Sequence, residues 1–174
     1  MDLFSQRTPV ASALALAALA LVVIAGAWAY EYAGYLPCDL CHEQRYAYYA
    51  GIPLALLIAA AAAAKAPRAL ISAGLALFAA IFVYNMGLAI YHSGVEAKYW
   101  AGPTACTGGS PGPAIAEDLL TQLQSVHVVR CDEVNLRVLG FSLANWNIVV
   151  SAALAALAAG TVLRGGSRQV GSRQ

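Results

Sequence analysis

The chain has 174 residues, 60% of them hydrophobic and 11% charged, with a formal net charge of +1. No basic patch offers a footprint for nucleic acid, and no acidic or basic excess points to a charged substrate. The apolar residues lie in long charge-free blocks rather than dispersed as a water-soluble core requires.

Four such blocks follow one another: Pro9 to Tyr30, Tyr46 to Ala64, Ala69 to Tyr91 and Val138 to Leu163. Each approaches the roughly 20 residues with which a helix crosses about 30 Å of hydrocarbon. The expected fold is an all-α membrane protein, an antiparallel bundle of four transmembrane helices in a single domain. The helices are placed at about 9–30, 44–64, 69–91 and 141–163, with outer loops at about 31–43 and 92–140. The first block runs on into Trp28, Tyr30 and Tyr32, residues suited to a membrane interface, and reads as a retained span rather than a cleaved signal peptide. Pro53 is expected to bend the second helix, and Gly51, Ala55, Ala59, Ala80 and Gly87 to let neighbouring helices approach closely. The "KAPR" turn between helices two and three is too short for anything but an antiparallel pair. The tail from 164 to 174 repeats "GSRQ" and reads as flexible.

Basic residues set the orientation. Arg7, Lys65, Arg68, Arg164, Arg168 and Arg173 crowd one side, whereas Arg45, Lys98, Arg130 and Arg137 spread over the longer opposite loops. The positive-inside rule places both termini and the "KAPR" turn in the cytoplasm. Eight of the nine acidic residues, and all four cysteines, then fall on the far side. That is the side where disulfides form and persist.

In the first outer loop, "YLPCDLCHEQRYAYY" sets Cys38 and Cys41 at the start of an apolar helix. Cysteines at i and i+3 share one side of a helical turn. Unpaired N–H groups in a first turn stabilise a thiolate, and the thiolate is the species that attacks disulfides. Arg45 shares their helical face and adds a fixed positive charge; His42 adds another when protonated. A zinc half-site competes with this reading, but zinc ribbons supply two close knuckles, which the spacing of Cys106 and Cys131 does not give. A structural clip closes too small a loop to stabilise much. Redox use is therefore preferred, and no metal is expected.

The second outer loop opens with "GPTACTGGSPGP", read as turns. A short amphipathic helix follows, with Ile115, Leu119, Leu123 and Val126 on one face, lying on the membrane or on the bundle's end. Cys106 and Cys131, taken alone, read as a structural bridge across a wide loop. Beside a reactive CxxC they read as a mobile pair that exchanges disulfides with an outside partner. His92, at the outer end of helix three, suits either the interface or a ligand. Asn85, Asn145 and Asn147 read as interhelical hydrogen-bonding residues. The tyrosines and tryptophans gather toward the outer half, which fits a planar, lipid-soluble cofactor held near that surface.

The segments "PCDLCHEQRYAYY", "YHSGVE", "WAGPTACTGG", "RCDEV" and "LANWN", in this order, resemble the disulfide bond formation protein B (DsbB) family of membrane thiol:quinone oxidoreductases. The resemblance spans helix one to helix four. It implies a quinone reductase of the bacterial inner membrane, with its cysteine loops in the periplasm. Such an enzyme reoxidises a DsbA-like thioredoxin-fold dithiol oxidase and passes the electrons to ubiquinone or menaquinone. Cys38 and Cys41 become the quinone-proximal pair, and Cys106 and Cys131 the partner-facing pair. Arg45 and His92 take positions beside the quinone, and Cys41 is the sulfur expected to meet it as a thiolate. Two other readings remain. A vitamin K epoxide reductase-like protein would place its loop cysteines before the CxxC, the reverse of the order here. A non-enzymatic scaffold would use both pairs only as braces.

Overall fold

The computed structural model describes residues 3–103, 130–134 and 136–171, with side chains over 9–103, 130–134 and 136–164. Four long helices carry the fold: α1 (Leu3–Tyr32), α2 (Asp39–Ala63), α3 (Arg68–Glu96) and α4 (Leu143–Gly171). All four are long and apolar enough to cross a membrane. In the bundle α1 packs on α2, α2 on α3, α3 on α4, and α4 closes back on α1. Cys106, the "GPTACTGGSPGP" turns beyond Pro103 and the amphipathic helix expected at 115–126 lie outside the described residues.

Helices α1, α2 and α3 end in the same way. Gly34 (φ 97°), Lys65 (φ 59°) and Lys98 (φ 60°) each adopt the left-handed conformation just past a helix. The residue after each returns its N–H to a carbonyl of the last turn, as in Tyr35 to Tyr30, Ala66 to Ala61 and Tyr99 to Gly94. This closure satisfies carbonyls that would otherwise be left without donors and reverses the chain abruptly. It is why the "KAPR" turn can be so short.

The block that begins at Val138 does not start as helix. Arg137–Val138 (β1) and Phe141–Ser142 (β2) pair antiparallel, with Leu139 (φ 53°) and Gly140 (φ 86°) forming the two-residue turn. Positive φ at both turn positions is the geometry that suits a tight hairpin. Ser142 then caps α4, its Oγ accepting the N–H of Asn145 at 3.2 Å. At the other end α4 continues to Gly171, past the apolar block that ends at Leu163.

The core is built of small residues against a few large ones. Ala13, Ala17 and Ala20 of α1 meet Ala55, Ala59 and Ala62 of α2, while Phe78, Phe82 and Leu75 of α3 fill the centre. A Cβ on Gly51 would lie 2.7 Å from the Phe82 ring, and one on Gly74 2.8 Å from Ile58. Glycine at these points lets α2 and α3 come together, the packing mode that works where lipid offers no hydrophobic drive between helices. Outward-facing Leu57, Leu70, Leu77, Val83 and Leu157 are exposed. An apolar surface of this extent is suited to lipid rather than water.

Candidate active site

The site sits where the first turn of α2 meets the last turns of α3. Pro37 delivers Cys38 in an extended conformation (φ −79°, ψ 172°), so Cys38 caps the helix and its sulfur accepts the N–H of Cys41 at 3.4 Å. The helical turn brings Cys41 Sγ to 2.8 Å from Cys38 Sγ, both as free thiols. From α3, His92 places Nε2 3.6 Å from Cys38 Sγ. The Cys38 thiol is held far below the usual thiol range, at about 5. The hydrogen bond from Cys41 is the main cause; the contact with His92 and the Cys41 backbone N–H add to it against the opposing effect of burial.

His92 is itself held. Gln44 Nε2 donates to His92 Nδ1 at 2.8 Å. Because an amide nitrogen can only donate, Nδ1 must accept, so the ring proton sits on Nε2 and points toward Cys38. Cys38, Cys41 and His92 have their ligating atoms within 4.8 Å of one another. A soft metal ion would need a lone pair at Nε2, where this arrangement presents an N–H.

Arg45 lies one residue further along α2 and is buried. Its guanidinium pairs with the Glu31 carboxylate near the end of α1, rather than with a sulfur. The group that α3 offers to Cys38 Sγ is thus His92, while Arg45 lines the same cavity paired with Glu31. Glu96, one turn beyond His92, accepts from Ser142 Oγ and lies 3.9 Å from His92 Nε2.

Cys131 comes to the same place from the long loop. The Arg130 guanidinium forks onto the Asp132 carboxylate, with distances of 3.0 and 2.9 Å. Cys131 is fully buried, packed with Cys38, Leu40 and Val95. It is disulfide-bonded. Cys106, its expected partner, lies outside the described residues.

A cavity of about 260 Å³ opens beside these groups. Its lining includes the polar Cys38, Cys41, Gln44, Arg45, His92 and Asn147 and the apolar Val22, Val23, Ile24 and Val150. The structure therefore gathers Cys38, Cys41, Arg45 and His92 around one chamber, with Cys131 packed on Cys38. Gln44, Glu31 and Glu96 were not singled out from the sequence. The available signal was polarity at positions facing the bundle from otherwise apolar helices.

A family model described as disulfide bond formation protein DsbB matches residues 7–161. The chain belongs to the DsbB family. As a member it is a disulfide-forming, multi-pass membrane oxidoreductase. Comparison with curated proteins and with solved structures gave no match.

Proposed function

We propose that this DsbB-family protein reoxidises a periplasmic thioredoxin-fold dithiol oxidase of the DsbA kind and passes the electrons to a membrane quinone, ubiquinone or menaquinone. The observation that carries this reading is the packing of Cys131 on Cys38 beside a chamber lined by both polar and apolar side chains. The residues fit a quinone. Its flat ring suits the Val22, Ile24 and Val150 wall, and its carbonyl oxygens need donors of the kind Arg45, Gln44 and Asn147 carry. Arg45 has donors beyond the one given to Glu31. Bound there, a quinone supplies the sink for two electrons and two protons.

The chain's own residues perform the exchange. A thiolate of the partner attacks the Cys106–Cys131 disulfide, forming a mixed disulfide with one cysteine and releasing the other. Cys131, once a thiolate, attacks Cys38 of an oxidised Cys38–Cys41 pair, so that a Cys131–Cys38 bond forms and Cys41 leaves as a thiolate. The partner's second thiol then resolves its mixed disulfide and departs oxidised, freeing Cys106. Cys106 attacks Cys131, restores the loop disulfide and expels Cys38. Exchange is faster when the leaving sulfur is a stable thiolate, and Cys38 is placed to be one. Re-forming the Cys38–Cys41 bond gives up two electrons and two protons. The positive-inside asymmetry of the basic residues supports an inner-membrane orientation with both termini cytoplasmic and the cysteine loops periplasmic.

Stopped-flow mixing of a reduced thioredoxin-fold dithiol protein with the purified chain and a short-tailed ubiquinone tests this reading. It predicts loss of one quinone per dithiol oxidised. Dithiol oxidation with quinone untouched would overturn it.

A further inference from the structure

Behind His92 runs a chain of buried side chains whose polarity can be followed. Tyr48 OH, Ser151 Oγ (3.3 Å) and Asn85 Nδ2 (3.4 Å) all donate to Asn147 Oδ1. Asn85 Nδ2 also donates to Ser151 Oγ at 3.0 Å. With its oxygen claimed by three donors, the Asn147 amide must turn its nitrogen the other way, and Nδ2 donates to Gln44 Oε1. Gln44 must in turn present Nε2 to His92 Nδ1. Reversing any one amide would set donor against donor inside the bundle, and an unmade buried hydrogen bond is costly. Gln44, Asn85 and Ser151 are all buried. From Asn85 through Asn147 and Gln44, each amide thus donates toward the ring.

We propose that Asn147 and Gln44 are positioning residues that hold His92 neutral, with its single ring proton on Nε2 and aimed at Cys38. A doubly protonated ring would set an Nδ1–H against the Gln44 N–H, a cost that opposes the pull of the Glu96 carboxylate, 3.9 Å from Nε2. The Cys38 thiolate then receives a hydrogen bond but not a full ion pair. This matters for the relay proposed above, on which the functional consequence rests. A thiolate locked to an imidazolium would stabilise the dithiol and hold back its electrons, whereas a neutral donor supports Cys38 as a leaving group without trapping it. The other charged or titratable groups around the sulfur, Cys41 and Arg45 from α2, Glu96 from α3, and Arg130 and Glu133 from the loop, are left in place by the substitutions below.

The test is histidine-selective ¹⁵N NMR of the reduced full-length chain in detergent micelles at neutral pH, with His92→Gln assigning the signal. Wild type is expected to show a protonated Nε2 and an unprotonated Nδ1. Asn147→Asp touches neither ring nor sulfur. Its second acceptor oxygen should rotate the Gln44 amide, so that Nδ1 gains a proton. Gln44→Glu presents an acceptor directly and should also protonate Nδ1, leaving an imidazolium beside Cys38. Equilibration of Gln44→Glu with glutathione, read by alkylation and peptide mass at Cys38 and Cys41, should shift about tenfold toward the dithiol. A wild-type Nδ1 that already carries a proton overturns the proposal, even if no variant folds. So does an unchanged Nδ1 in both variants, or an unmoved glutathione equilibrium. Neither readout involves quinone or partner, so failure here is distinct from failure of the relay.

Discussion

Cys131 is buried against Cys38, although 92 intervening positions separate them in the chain. The contact joins Cys131 of the long loop to the helix-capping pair, and in the proposed relay Cys38 is the sulfur through which disulfides are exchanged.

If that contact defines the route, removing Cys41 should trap it. In Cys41→Ala, the Cys38 thiolate has no helical partner and attacks the loop disulfide at Cys131. Non-reducing peptide mass mapping should then show a Cys38–Cys131 bond. A Cys38–Cys106 bond as the main product would place the wrong loop sulfur beside α2.

The lowered Cys38 pKa predicts a pH profile. Iodoacetamide should alkylate Cys38 of the reduced protein at a nearly constant rate from pH 8 to pH 6, falling with a midpoint near about 5. An unperturbed thiol would already lose reactivity as the pH falls below about 9. The sign for stability follows. A group whose folded pKa is depressed contributes stabilisation that is complete above the unfolded value and is lost as pH falls through the folded one. The reduced protein should therefore lose this contribution progressively between about pH 9 and pH 5, seen as a falling thermal midpoint relative to Cys38→Ser.

Arg45 is held to the cavity wall by Glu31. Arg45→Ala should lower kcat/KM for quinone by about tenfold or more, the scale of one charge-assisted hydrogen bond. Disulfide exchange between the loop pair and its protein partner should continue. Glu31→Gln should move the quinone KM in the same direction by less. Unchanged quinone kinetics in Arg45→Ala would remove Arg45 from the site.

Gly94 lies under the indole of Trp100, which stacks on Tyr91 and donates to its carbonyl at 2.8 Å. A Cβ on Gly94 would fall 1.9 Å from that indole. Gly94→Ala should cost about 1–3 kcal/mol through overpacking. Gly87→Ala meets nothing within 4 Å and should be neutral or slightly stabilising. Thermal melts in detergent distinguish the two.

The membrane spans were legible because a lipid environment demands long apolar segments, and each expected span lies within or largely overlaps an observed helix. The placement of Cys38 and Cys41 together at the start of α2 was legible because i, i+3 spacing at a helix start is a local feature. Gln44, Glu31 and Asn147 were not legible as a set. Their partners come from other helices, and the rotation of each helix about its axis is fixed by packing such as Gly51 on Phe82, which one-dimensional periodicity does not report. The hairpin at Leu139–Gly140 was absorbed into an apolar block, since two-residue strands leave no period to detect.

In the proposed relay, electrons leave the protein from the Cys38–Cys41 pair. Its most direct test is steady-state quinone reduction by the Cys38→Ser, Cys41→Ser double variant in membranes, driven by a reduced thioredoxin-fold dithiol protein. No quinone reduction above the uncatalysed rate is expected, with the loop disulfide still able to form a mixed disulfide with the partner. Quinone reduction at the wild-type rate would contradict it.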